Sequence, residues 1–265
     1  EDVVLRASYA DVMSRPGLST LSPGGSVDPF NLTVSYGNPF IDPFRATNYD
    51  LSAEYYFDEG ALLSLAYFIK DIESFPTSET VTLNWQEVGL PDSVLGGQAN
   101  IVNNSDFEVR RSINGGGGKL DGYEVQYQQK LDFLPGPQWV QNFGVLANMT
   151  FVDADVNLTG QSDRSSNFTV YWEDEVFSAR ISMANRSEFT TSFNSNPNKQ
   201  RYVDGTTHID FSASYNVSEN LKISIEGINL TDEPIVAMVS PNIGGRVWNV
   251  TQTGRQFFIG ASYRM

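Results

Sequence analysis

The sequence predicts an all-β chain folded as an antiparallel transmembrane β-barrel, and three observations carry that prediction. Apolar and polar residues alternate with period two through ten segments, with almost no helical periodicity. The connections between these segments alternate between very short and long. Aromatic side chains gather at the short-connection end, where amphipathic rings suit a lipid headgroup level.

The ten segments fall near 2–13, 46–57, 61–73, 119–133, 139–156, 165–173, 176–188, 206–217, 220–230 and 254–265. The ninth is the plainest, with Leu221, Ile223 and Ile225 on one face and Lys222, Ser224 and Glu226 on the other. The eighth sets Ile209, Phe211, Ala213 and Tyr215 against His208, Asp210, Ser212 and Ser214. The fourth sets Tyr123, Val125 and Tyr127 against Glu124, Gln126 and Gln128. Many segments run ten residues or more, as a tilted strand crossing hydrocarbon must, whereas strands of a soluble sandwich are usually shorter. Connections at 58–60, 134–138, 173–175 and 218–219 are tight. Those at 14–45, 74–118, 157–164, 189–205 and 231–253 are mostly long and rich in Gly, Pro, Asn and Ser. In an up-and-down meander alternate connections share an end, so one end carries turns and the other carries loops. The aromatic residues at the turn end are Tyr55, Tyr56, Phe57, Phe133, Trp139, Trp172, Phe177, Tyr215 and Tyr263.

Composition narrows the function classes. A net charge of −15, from 32 acidic and 17 basic residues, argues against nucleic acid as a partner. Only 18% of residues are charged, too few for a solvated disordered chain. The chain has no cysteine, so neither a disulfide framework nor a thiolate metal site is available, and no cofactor is expected. Carboxylates at Asp71, Glu73, Asp153, Asp155, Asp174 and Glu175 lack the spacing of a calcium loop, so no metal site is expected. The run INGGGGKL at 113–120 lacks the order of a phosphate-binding loop and reads as a flexible connection. Asn148, Asn167 and Asn229 stand in glycosylation-like triplets but inside predicted strands, which favours a composition effect on a polar barrel face. No apolar run approaches the roughly 20 residues of a membrane helix, which excludes helical spanning alone. The chain opens inside an alternating segment, so further strands are expected upstream.

The ending GRQFFIGASYRM places Phe257, Ile259, Ala261, Tyr263 and Met265 on one face. With Gly260, Tyr263 and Met265 it resembles the C-terminal signal by which outer-membrane barrels are recognised for assembly. Four further stretches resemble TonB-dependent outer-membrane receptors. These are SRPGLSTLSPG (14–24), GNPFIDPFRATNYDLSAEYYFDEG (37–60), GGGGKLDGYEVQYQQKLDFLPG (115–136) and GINLTDEPI (227–235), in the family's order. The resemblance implies a 22-stranded barrel around an N-terminal plug, of which this chain would be the last ten strands, 1–265 being the C-terminal part of one barrel domain. It also implies active import powered by TonB, which would reach the protein through the missing N-terminal region, and no catalysis. The implied partners are outer-membrane lipid and lipopolysaccharide, a small-molecule or glycan ligand and, in some members, a surface lipoprotein, with the C-terminus in the periplasm.

The long loops carry Trp85, Phe107, Arg110, Arg111, Tyr202, Arg246 and Trp248, residues suited to stacking on a polar organic ligand and holding its anionic groups. The acidic balance of the whole chain tips the expectation toward a neutral glycan over an anionic siderophore. Two rival readings stand beside this one. An enzyme would be a complete ten-stranded outer-membrane barrel with chemistry at His208 and Asp210, which share a polar face. A secreted β-sandwich binding domain would show the same alternation on short strands.

Overall fold

The computed structural model describes residues 2–156, 158–193, 196–240 and 244–264. Ten strands form one antiparallel meander: β1 (Val3–Ser14), β2 (Phe44–Asp58), β3 (Ala61–Asn84), β4 (Gly118–Lys130), β5 (Phe143–Ala154), β6 (Arg164–Glu173), β7 (Phe177–Arg186), β8 (Thr206–Asn216), β9 (Leu221–Ile228) and β10 (Gln256–Tyr263). Each pairs with its neighbours in sequence, while β1 pairs only with β2 and β10 only with β9 among the described residues. The wall is therefore open at both edges.

Each of the ten predicted segments contains a strand, and the two largest differences in extent are at the fifth and third. Residues Gln138–Gln141 form a helical turn, and β5 starts at Phe143. Pro137 stands before that turn with φ of −68°, a conformation its ring fixes in advance. The third segment continues past 73 to Asn84, because its outer half finds a new partner, Asp106–Gly115.

Register divides the wall into two faces. One continuous row joins Leu5, Ala53, Leu65, Val125 and Met149 across five strands, and another joins Phe168, Met183 and Ile209. These side chains have no protein layer over them: Leu5 is 75% and Ile259 85% exposed. A bare apolar face of this breadth is unfavourable in water at about 25 cal/mol per Å², and belongs in hydrocarbon. The opposite face is polar and knits itself across the strands. Ser8 donates to Asp50 at 3.0 Å, Asn167 to Asn148 at 2.9 Å, and hydroxyl pairs join Thr169 to Ser182 and Ser178 to Ser214, both at 2.8 Å. At the short-turn end the predicted aromatic residues meet one another: Trp172 contacts Phe177 at 5.6 Å between ring centroids, and its Nε1–H donates to Trp139 O at 2.7 Å. Tyr263 is outward and exposed there, while Gly260 lies inward with Ser224 where a Cβ would stand; Met265 lies outside the described residues.

At the other end the loops build two folded units. In the first, Asp106–Gly115 pairs with the outer half of β3, Thr33–Tyr36 joins it in parallel, and Gly25–Asp28 completes the sheet. Trp85, Leu95, Val102, Phe107, Val109 and Val34 are buried together beneath it. In the second unit, Phe189–Ser192, Arg201–Val203, Ile235–Val239 and Arg246–Thr251 form a separate four-stranded antiparallel sheet.

The motif stretches have local structural roles. Gly37 packs so tightly against the 19–22 segment that a Cβ would stand 2.5 Å from Ser22 O, and Asn38 N–H donates to Thr20 O at 2.7 Å. The two stretches 14–24 and 37–43 are thus one locked loop. In the Gly-rich run, a Cβ on Gly117 would stand 2.4 Å from Ile72 O, so the run is set by close backbone approach as well as by freedom.

Candidate functional site

Between the two loop units, at the mouth of the wall, lies a cleft of about 870 Å³. Its first wall comes from the β3/106–115 hairpin. Alternation divides that hairpin: Val81, Leu83, Phe107 and Val109 pack into the loop core, and Thr80, Glu108 and Arg110 line the cleft. Its second wall is the four-stranded sheet, which contributes Arg201, Arg246 and Trp248, with Lys199 from the Pro197–Lys199 turn and Ser240 just past Val239. Arg201 pairs with Val239, and Val239 with Arg246, so both arginines stand in one cross-strand row. The register slips between Ala237 and Met238, leaving Trp248 as the extra residue of a bulge, on the cleft side with both arginines. The Arg201 guanidinium lies over the Trp248 ring, 4.1 Å from its centroid. Lys199 Nζ reaches across the cleft to Glu108 and ties the units together. Among the described residues, Arg110, Arg201 and Arg246 form no salt bridge.

The predicted ligand residues separate into two groups. Arg110, Arg246 and Trp248 line the cleft together. Trp85 and Phe107 do not: they are 1% and 0% exposed, stacked on each other at 4.9 Å, and the indole N–H is satisfied by Asp92 at 2.8 Å. Their rings hold the first loop unit together and present no face to a ligand. Arg111 points the opposite way from Arg110 and is bound by Glu79 at 2.9 Å. That hydrogen-bonded carboxylate raises the Arg111 pKa further above its ordinary value. Tyr202 stands on the other face of its sheet from Arg201, toward Gly245. Lys199 and Arg201 also line the cleft, and neither is among the residues that the loop chemistry singles out. The alternation that faces Arg201 away from Tyr202, as it faces Glu108 and Arg110 away from Phe107 and Val109, is the signal that finds Arg201, while Lys199 stands in the Pro197–Lys199 turn where alternation says nothing.

His208 and Asp210 share the polar face, as their spacing predicts. Asp210 accepts the Asn229 backbone N–H at 2.8 Å, which makes its carboxylate part of the 229–233 turn. Asn229 is buried there in the left-handed region at φ of 54°, and its side chain both accepts from Glu233 N at 2.8 Å and donates to Glu233 O at 3.0 Å.

A one-layer sheet with an apolar outer face, a hydrogen-bonded polar inner face and folded loops at one end defines the wall of an outer-membrane barrel. A family model described as "TonB dependent receptor-like, beta-barrel" matches residues 1–230. The chain belongs to the TonB-dependent receptor family, whose members are outer-membrane receptors and transporters and not enzymes.

Solved structures agree in fold. A mutant of the ferric enterobactin receptor PfeA from Pseudomonas aeruginosa is 16% identical with a TM-score of 0.67, over 99% of this chain and 38% of that one. The siderophore receptor PirA from Acinetobacter baumannii is 14% identical with a TM-score of 0.66, over 98% of this chain and 39% of that one. The copper transporter OprC is 15% identical with a TM-score of 0.64, over 98% of this chain and 37% of that one. The chain therefore spans under two fifths of the length of the solved proteins it resembles. Among curated proteins the chain has no match.

Proposed function

We propose that this chain is the C-terminal portion of an active importer, its ten strands belonging to a larger plugged barrel and its loop cleft forming part of the vestibule that captures a small anionic ligand. In this reading the loops face the exterior, the short turns and C-terminus face the periplasm, and TonB acts through a plug contributed by the rest of the protein. Lipid and lipopolysaccharide would meet the apolar face.

One observation carries the ligand class: Arg110, Arg201 and Arg246 line one cleft without a carboxylate partner among the described residues, in a chain of net charge −15. Unpaired cations held this close disfavour one another and favour an anion between them. The neutral-glycan preference came from the charge of the whole chain, but recognition depends on the local field, and here it is positive. The cleft volume suits a ligand of chelate size. Naming of solved neighbours for ferric enterobactin and siderophores is compatible with this reading, whereas the copper of OprC, a cation, is not a ligand for such a cleft.

The test is whole-cell accumulation by the complete protein in TonB-competent and TonB-deficient cells, with ferric citrate, a ferric catecholate and a neutral maltooligosaccharide as probes. TonB-dependent accumulation of an anionic chelate is expected. Uptake of the oligosaccharide alone overturns the ligand class, and accumulation that ignores TonB overturns active import.

A further inference from the structure

The geometry points to Trp248 as a positioning residue that holds Arg201 in the cleft as an anion-binding group, and not as a ring for the ligand itself. The inference rests on reading the cleft as a ligand vestibule, and assigns the roles within it.

Arg201, Arg246, Arg110 and Lys199 crowd one cleft whose single acidic lining residue among the described residues is Glu108, and Glu108 is already paired with Lys199. Mutual repulsion drives the unpaired side chains apart, and Arg201, the exposed first residue of a three-residue strand, has a long stem free to swing into water. The Trp248 ring opposes that. A guanidinium stacked on an indole face gains a cation–π attraction while its five N–H donors, all in the guanidinium plane, remain free for an oxyanion. The bulge that makes Trp248 an extra residue is what sets its ring beneath a side chain two strands away. A ring already covered by Arg201 offers its remaining face and edge to solvent, and Trp248 is 58% exposed. Lysine cannot replace Arg201 in this arrangement, because an ammonium lacks the planar fork.

Quenching of tryptophan fluorescence by iodide, an anionic probe, with acrylamide as the neutral control, tests the assignment on the complete receptor. Subtracting a Trp248→Phe variant isolates the Trp248 signal. Arg201→Gln is expected to lower iodide quenching of Trp248 about twofold to fivefold with acrylamide quenching unchanged, and Arg201→Lys is expected to fall between. Raising NaCl from about 0.1 M to about 1 M should erase the difference, as the screening length falls from about 10 Å to about 3 Å. An iodide-to-acrylamide ratio that ignores Arg201→Gln overturns the anion site.

The positioning role has its own readout, the rate at which phenylglyoxal modifies Arg201, followed by mass spectrometry. Trp248→Leu should raise that rate about twofold to fivefold and Trp248→Phe should leave it close to the parent value. Equal rates in all three overturn the platform. A receptor that imports nothing yet keeps the quenching difference retains the pair and loses the transport reading; a working importer with no difference does the reverse.

Discussion

The two loop units use the same residue types in opposite ways. The first encloses Trp85 and Phe107 beneath a sheet and needs them for its own stability. The second leaves Trp248 on an exposed strand, covered on one face by Arg201. The difference is topological. The first unit has a second layer, since the helical turns Trp85–Val88 and Ala99–Val102 close over the hairpin, and a second layer creates an inside. The second is a single sheet facing a cleft, and its large side chains have no inside to enter. Aromatic residues in long loops are therefore free to serve a cleft, as Trp248 does under Arg201, only where no second layer buries them.

The strongest way to break this comparison is Phe107→Ala. Loss of a fully buried ring should destabilise the first loop unit by about 3–5 kcal/mol, with the wall intact. Hydrogen exchange should show residues 76–114 losing protection while β4 to β10 keep theirs; uniform loss would mean that the loop core and wall are one cooperative unit. The same substitution at the exposed aromatic, Trp248→Ala, should leave exchange in both units nearly unchanged.

Asn229→Ala is expected to come next, at about 1–3 kcal/mol, because it strands the Glu233 backbone and puts alanine at a positive φ. Thermal unfolding in detergent, compared with Asn229→Gly, separates the two causes: glycine relieves the backbone strain alone.

Arg111→Gln and Arg246→Gln sharpen the contrast between a paired and an unpaired cation. Arg111 faces Glu79 in a partly exposed pair worth about 0–1 kcal/mol, so its loss should move stability slightly and the iodide response of Trp248 not at all. Arg246 has no such partner among the described residues and should show the converse, a weaker iodide response at unchanged stability.

The smallest expected effect is one of pH. Asp28 receives hydrogen bonds from the Asn31 side chain, the Asn31 backbone and the Phe30 backbone, which hold its carboxyl below the ordinary aspartate range. A group whose folded pKa is the lower stabilises above its unfolded value and loses that contribution as pH falls through the folded one. Exchange at the Phe30 and Asn31 amides, corrected for intrinsic rates, should accelerate on acidification below about pH 4, and Asp28→Asn should remove that step.

The sequence by itself determined the ten wall strands, their order and which face of each is apolar. Strand alternation is a local pattern, and a one-layer wall in lipid asks nothing further of its outer face than that it be apolar, as Leu221, Ile223 and Ile225 already declare. It also held part of the cleft lining, since Arg110, Arg246 and Trp248 were legible as loop residues suited to a polar ligand. The extension of β3 beyond residue 73 was not legible, because its partner residues lie from 22 (Asn84 to Asp106) to 40 (Phe75 to Gly115) positions away and only the pairing keeps Pro76 in an extended run. Nor was the burial of Trp85 and Phe107, which depends on a second layer that no local pattern announces. Only the tertiary structure brought Arg201 within 4.1 Å of Trp248, and only it turned a net-acidic chain into one with a basic cleft. Charge sums over a sequence, whereas a ligand responds to the few charges that folding brings within a screening length of it.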